Sequence, residues 1–269
     1  MRLSFTKMHG SGNDFVLIDN RDQRVHLAPS QITKICDRHY GVGADGLLLM
    51  ESPQNGGDLR MRYYNGNGQE AEMCGNGARC FTRYAQRILK SKQRAFSFET
   101  PAGLIRGALL GESVEVQMSE PSNYCPPAFL QIAGVTEEVH FLSIGVPHAA
   151  VFVEAVEKVD VNLHGKEIRL HEAFAPLGTN VNFIQIVATD HLRIRTYERG
   201  VEAETLACGT GAAACALLYH MHRSVLSPIW VTVQGGDTLR VSFESSPNLR
   251  NVCVCGPASF VFDGEIEIF

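Results

Sequence analysis

The sequence predicts an α+β fold of two pseudo-symmetric domains, each a curved, mostly antiparallel sheet wrapped about a central helix, and three observations predict it. The first is an internal repeat. The phrase "EMCGNGARC" (Glu72–Cys80) returns as "LACGTGAAAC" (Leu206–Cys215), and Cys74 and Cys208 lie 134 apart. The match spreads outward: Arg60 with Arg193, Arg62 with Arg195 and Tyr64 with Tyr197 at an offset of 133, and Arg106 with Arg240 at 134. The one-residue difference implies a single insertion ahead of the second cysteine. The second observation is the number of short β-rich stretches between Gly, Asn, Asp and Pro. The third is a pair of helix patterns, one after each cysteine.

Taken in order, "DFVLID", "GLLLM" and "LRMRYY" read as strands, and "NGNG" as a turn leading to the first cysteine. The helix after Cys74 carries Phe81, Tyr84, Ala85 and Ile88 at i, i+3, i+4, i+7, an amphipathic stripe. "PAGLIR" continues as a strand hairpin. The Pro-rich 119–129, "SEPSNYCPPAF", reads as the linker. Strands "AAVFVEA", "VNFIQIV" and "HLRIRTY" follow, then the second cysteine turn and "GAAACALLYHMH", apolar nearly all round and therefore enclosed. The division is 1–118 and 119–261. In "VCVC", Cys253 and Cys255 alternate as core residues of a strand.

Composition narrows the chemistry. With 269 residues, 45% hydrophobic and 20% charged, the chain can bury one large or two small cores. A net charge of −5 lends no electrostatic support to nucleic acid or an anionic membrane as partner. A small or zwitterionic ligand suits it better. No apolar run approaches a membrane span, and the start of the chain lacks a signal-type apolar region, so a cytoplasmic protein is expected. The eight cysteines follow no CxxC or zinc-ribbon spacing; no metal is expected, and Cys36, Cys80, Cys125 and Cys215 read as buried packing.

Cys-Gly-X-Gly at a helix start has its own physics. The glycines admit close backbone approach, and the first free N–H groups form a cradle that fits a carboxylate. The same positive end favours thiolate over thiol, turning a cysteine with a reference pKa of about 8.5 into a usable base. Two such sites in pseudo-symmetric halves facing across one cleft would put a sulfur on each face of a bound carbon. That arrangement suits inversion of a stereocentre, one thiolate taking a proton and the other thiol returning one.

"MHGSGNDF", "NGNGQEAEMCGNGARC", "VPHAAVF", "GTNVNF", "YERGVEAETLACGTG" and "PASFVFDGEI" together resemble diaminopimelate epimerase over essentially the whole chain. The resemblance implies epimerisation of LL- and meso-diaminopimelate for lysine and peptidoglycan precursors, no cofactor, a homodimer, and a last strand, 262–269, returning to the first domain. Carried over by position, Cys74 and Cys208 match the acid/base cysteines, and Gly75, Asn76, Gly209 and Thr210 the turns that hold the reacting carboxylate. Asn13, Asn65 and Asn180 match substrate-binding asparagines, Glu198 and Arg199 the ligands of ammonium and carboxylate, and His148 and Glu198 residues that tune the cysteines.

The chain departs from the family at two pocket positions. Val146 stands where an asparagine is usual, and Gly46 where a glutamine is frequent. The inserted residue in "ERGVEAET" is expected to loosen the segment between Arg199 and Cys208. Missing amides predict weaker discrimination at the distal end of the substrate, with a racemase of a simpler amino acid such as glutamate as the alternative. A thiol redox module is the alternative from another class.

Overall fold

The computed structural model describes residues 2–268; Phe269, the last residue of the expected returning strand, lies outside them. The chain divides into two compact units. The first runs to Val116 and resumes at Gly256; the second is Gln117–Cys255.

In the first unit β1 (Arg2–Gly10) pairs antiparallel with β2 (Asn13–Asp19), and α1 (Pro29–Cys36) crosses over to β3 (Gly46–Glu51), parallel to β2. Next, β4 (Leu59–Asn65) runs antiparallel to β3 and turns through β5 (Glu70–Ala71) into α2 (Gly75–Leu89). After the helix, β6 (Ala95–Thr100) lies parallel to β4, followed by β7 (Gly103–Leu110) and β8 (Ser113–Gln117).

The second unit holds β9 (Pro121–Ile132), β10 (Val135–Ile144), β11 (Val146–Phe152), α3 (Val161–Arg169), β12 (Asn180–Ala188), β13 (His191–Glu198), β14 (Ala203–Thr205), α4 (Gly209–Arg223), β15 (Ile229–Thr232), β16 (Thr238–Glu244) and β17 (Arg250–Pro257). Its pairings repeat the first unit's: β11 lies parallel to β12 and β13 parallel to β15, the other pairs being antiparallel. The chain then re-enters the first unit as β18 (Ser259–Glu267), antiparallel to β1.

Each sheet wraps a central helix. α2 packs against β1, β2, β3 and β7, and α4 against β10 to β13, β15 and β16. The opposite face of each sheet is covered by the crossover helix. Ile32 and Ile35 of α1 sit on Val16, Ile18, Leu47 and Leu49, while Val161 and Ile168 of α3 sit on Val181, Phe183 and Tyr197. Burial on both faces is why "FVLI" and "LLLM" are continuous apolar runs and not alternating ones. Ten residues of α4, Gly209 and Gly211 to Tyr219, are buried, as an apolar circumference requires.

Two local expectations are corrected. The Pro-rich stretch is no linker: Pro121–Ile132 is strand β9, paired with β10. Proline lacks a ladder donor, and the register slips opposite Pro126 and Pro127, between Val139 and Phe141. The inserted residue lies within the β13–β14 turn, since Tyr64 pairs with Glu70 but Tyr197 with Glu204. From strand to cysteine the two halves keep step. The turn is also fastened, with Glu202 N–H donating to Glu198 O at 2.8 Å and its carboxylate paired with Arg169 at 3.1 Å.

Candidate active site

Cys74 and Cys208 occupy the same place in their units. Each is the N-cap of a 15-residue helix, with extended backbone angles (φ −137°, ψ 119° and φ −122°, ψ 110°). Each sulfur accepts from the N–H of the third helical residue, Gly77 at 3.5 Å and Gly211 at 3.4 Å. A sulfur here replaces the serine or aspartate oxygen common at N-caps. Gly75 and Asn76 open one helix, Gly209 and Thr210 the other, so their N–H groups belong to the first turn, where no intrahelical carbonyl can reach them.

Around Cys74 the structure gathers Asn13 and Asn76. The Cys74 thiol lies 3.7 Å from Asn13 Oδ1, which also accepts from Asn76 Nδ2 at 3.2 Å. Asn13 Nδ2 donates to Asp45 at 2.7 Å, and Asp45 is held by Arg38 at 2.8 Å. Behind them Asp14 pairs with Lys7 and Arg38. Burial alone would raise the Asp14 carboxyl, but hydrogen bonds from Arg38 and Lys7 outweigh it and hold the group at about 2. Asp45 was not anticipated from the sequence, and only its place in a Gly-rich turn marked it.

In the second unit Thr210 Oγ1 lies 3.4 Å from Cys208 Sγ, and Thr205 donates to Glu198 at 2.5 Å. Asn180 is spent on backbone: its Nδ2 donates to Pro147 O at 3.0 Å and its Oδ1 accepts from Arg199 N–H at 2.9 Å. It thereby locks the start of β11 and the end of β13 to β12. The guanidinium of Arg199 lies 3.5 Å from Leu177 O.

His148 is fully buried, and its pKa is pushed down to about 3, first by burial and then by Arg199. Asn182 Nδ2 donates to Ala149 O at 3.0 Å and lies 3.3 Å from His148 Nδ1, which as the neutral ring's acceptor leaves the proton on Nε2. That Nε2 is buried without a hydrogen-bond partner. Asn182, also unanticipated, reaches the cysteine turn: a Cβ on Gly211 would meet its Oδ1 at 2.6 Å.

Of the two departing positions, Val146 opens β11, half-buried. Gly46 has no room for any side chain, since a Cβ would lie 2.6 Å from both the Tyr63 ring and Tyr64 O. His9 Nδ1 accepts from Gly12 N–H at 3.3 Å. All eight cysteines are free thiols; Cys36, Cys80 and Cys215 are buried as expected, whereas Cys125, also expected in packing, is exposed on β9. No helix among the described residues is long and apolar enough to cross a membrane.

Two units, each a sheet wrapped about a central helix, make a two-domain α+β fold that solved structures share. A PhzF-family phenazine biosynthesis protein of Bacillus anthracis matches with a TM-score of 0.77 at 16% identity, covering 100% of both chains. A probable proline racemase of Agrobacterium radiobacter K84, with bound carbonate, matches at 0.76 and 13% identity, over 99% of this chain and 93% of the other. At those identities the likeness concerns fold. Sequence goes further: the diaminopimelate epimerase family model matches residues 5–123 and 140–261. The diaminopimelate epimerase of Aquifex aeolicus (strain VF5) is 43% identical over 98% of each chain, and that of Chlorobaculum tepidum 40% identical over 97% of this chain and 100% of its own. The chain belongs to the diaminopimelate epimerase family, isomerases that work without pyridoxal phosphate.

Proposed function

We propose that this protein interconverts LL- and meso-diaminopimelate in lysine and peptidoglycan precursor synthesis by a two-base exchange between Cys74 and Cys208. The observation that carries the reading is the duplicated turn, two thiols capping two helices with the same backbone angles. The positive end of a helix favours a thiolate at its cap. One thiolate takes the α-proton, and the opposite thiol delivers its own proton to the other face of the carbon, so the two sulfurs exchange protonation states in each turnover. Charge that builds on the substrate carboxylate is met by the amides of Gly75 and Asn76 and of Gly209 and Thr210. Asn13, Asn65, Asn180, Glu198 and Arg199 would hold the remaining polar groups. His148, neutral and packed on Asn182, would support the Cys208 turn. The active form would be a cytoplasmic homodimer, which light scattering on the purified protein tests.

Turnover of LL-diaminopimelate in deuterated water should give meso product carrying one α-deuterium. Cys74→Ala and Cys208→Ala should each lower kcat by about a thousandfold or more, the scale of a lost acid or base. Wild-type turnover in either variant would overturn the two-base reading.

Val146 favours a second reading, relaxed recognition of the distal group with slow racemisation of glutamate. L-Glutamate that gains neither α-deuterium nor D-isomer excludes it.

A further inference from the structure

Gly46 and Tyr63 explain each other. Gly46 stands opposite Phe15 on one neighbouring strand and Asn65 on the other. The Tyr63 ring lies over the bare Gly46 backbone, its Cε2 at 2.6 Å from where a Cβ would sit, and meets Phe15 edge-on with centroids 6.0 Å apart. Two residues along the strand, and so on the same face, is Asn65. The Tyr63 hydroxyl donates to Asn65 Oδ1 at 2.7 Å.

We propose that Tyr63 is the positioning residue for Asn65: its hydroxyl occupies the amide oxygen, so Asn65 presents only N–H donors to a substrate acceptor, and Gly46 exists to seat the Tyr63 ring. An asparagine side chain can otherwise rotate by half a turn and exchange donor for acceptor at little cost. Held by Tyr63, it selects an anionic oxygen and disfavours an ammonium. Seen this way, Gly46 is not simply a lost pocket amide, because the tyrosine ring takes the space a side chain at 46 would need. The proposal rests on the reading that Asn65 touches the substrate.

Steady-state kinetics with diaminopimelate on four proteins tests it: Tyr63→Phe, Asn65→Asp, Asn65→Ala and Tyr63→Phe with Asn65→Ala. Tyr63→Phe keeps the ring and should raise KM about five- to tenfold, the worth of one oriented hydrogen bond, with kcat within about twofold. Asn65→Asp keeps an acceptor for the tyrosine but removes the donors, and should raise KM further. In the Asn65→Ala background Tyr63→Phe should change nothing. An unchanged KM in Tyr63→Phe, or the same factor appearing in both backgrounds, overturns the proposal while leaving the two-thiol chemistry intact. Normal KM in Asn65→Asp removes Asn65 from the substrate site and the proposal with it. Failure of the wild-type protein to turn over diaminopimelate at all would instead mark failure of the proposed function.

Discussion

The Cys74 turn and the Cys208 turn share a backbone and differ in what their side chains touch. Cap angles, helix length and sulfur acceptor contacts repeat. The polar groups do not. Asn13 opens β2 and its counterpart 133 residues on is Val146; Gly46 opens β3 and its counterpart 134 on is Asn180; Phe15 answers to His148, and Asn65 to Glu198. The two missing amides are thus the pseudo-symmetry mates of two that are present. Duplication keeps the two thiols and their helix caps matched, while the polar neighbours have diverged. The comparison suggests where the halves should respond differently to the same change.

The largest difference is expected at the second glycine of each turn. A Cβ on Gly211 would meet Asn182 Oδ1 at 2.6 Å and Cys208 Sγ at 3.3 Å, whereas the nearest atoms to one on Gly77 would be Cys74 Cβ and the Leu48 methyls, at an ordinary 3.5–3.6 Å. Gly211→Ala should therefore cost about 1–3 kcal/mol of stability, as overpacked sites do. Gly77→Ala should be close to neutral, because relief of glycine's helix cost of about 1 kcal/mol offsets any adjustment. Urea midpoints compare them; equal losses would break the asymmetry.

A smaller difference concerns pH. His148 is neutral when folded down to about 3, whereas an unfolded histidine takes a proton near 6.5. Between those values the unfolded chain binds the extra proton, so stability falls as pH drops below about 6.5. The first half has Phe15 at this position and no such term. His148→Phe should flatten the dependence of the urea midpoint between pH 7 and pH 5, while Asp14, held at about 2, leaves its own loss to pH below about 4. A slope unchanged by His148→Phe would place the titration elsewhere.

Much of this was legible in the sequence for identifiable reasons. The cysteine turns announced themselves because Cys-Gly-X-Gly recurs at one spacing, and α4 because an apolar circumference has to be enclosed. Helices α1 and α3 escaped: eight and nine residues give too few turns for a stripe, and α1 buries only Ile32, Ile35 and Cys36. β9 escaped because prolines in an edge strand look like a linker. Residue type singled out Asn13 and Asn65 as candidates but not what orients them. Asp45 and Tyr63 are joined to those asparagines by distances of 2.7 Å that no periodicity encodes.

Val146 offers the finest test of the divided symmetry. Its mate Asn13 is oriented by Asp45, which accepts at 2.7 Å and leaves the amide oxygen toward Asn76 and Cys74. The mate of Asp45, 134 residues on, is Thr179, buried, with its hydroxyl given to Asn180 O at 2.9 Å. No carboxylate stands there to turn an amide at 146. Val146→Asn should therefore restore a polar partner without restoring its orientation. The ratio of kcat/KM for diaminopimelate over glutamate should rise only about two- to fivefold, less than a fully oriented hydrogen bond contributes. Adding Thr179→Asp should raise the ratio further if the second half can be given the first half's logic. A ratio that stays put in both variants would show that position 146 does not face the distal group, and that the asymmetry there serves packing of β11 alone.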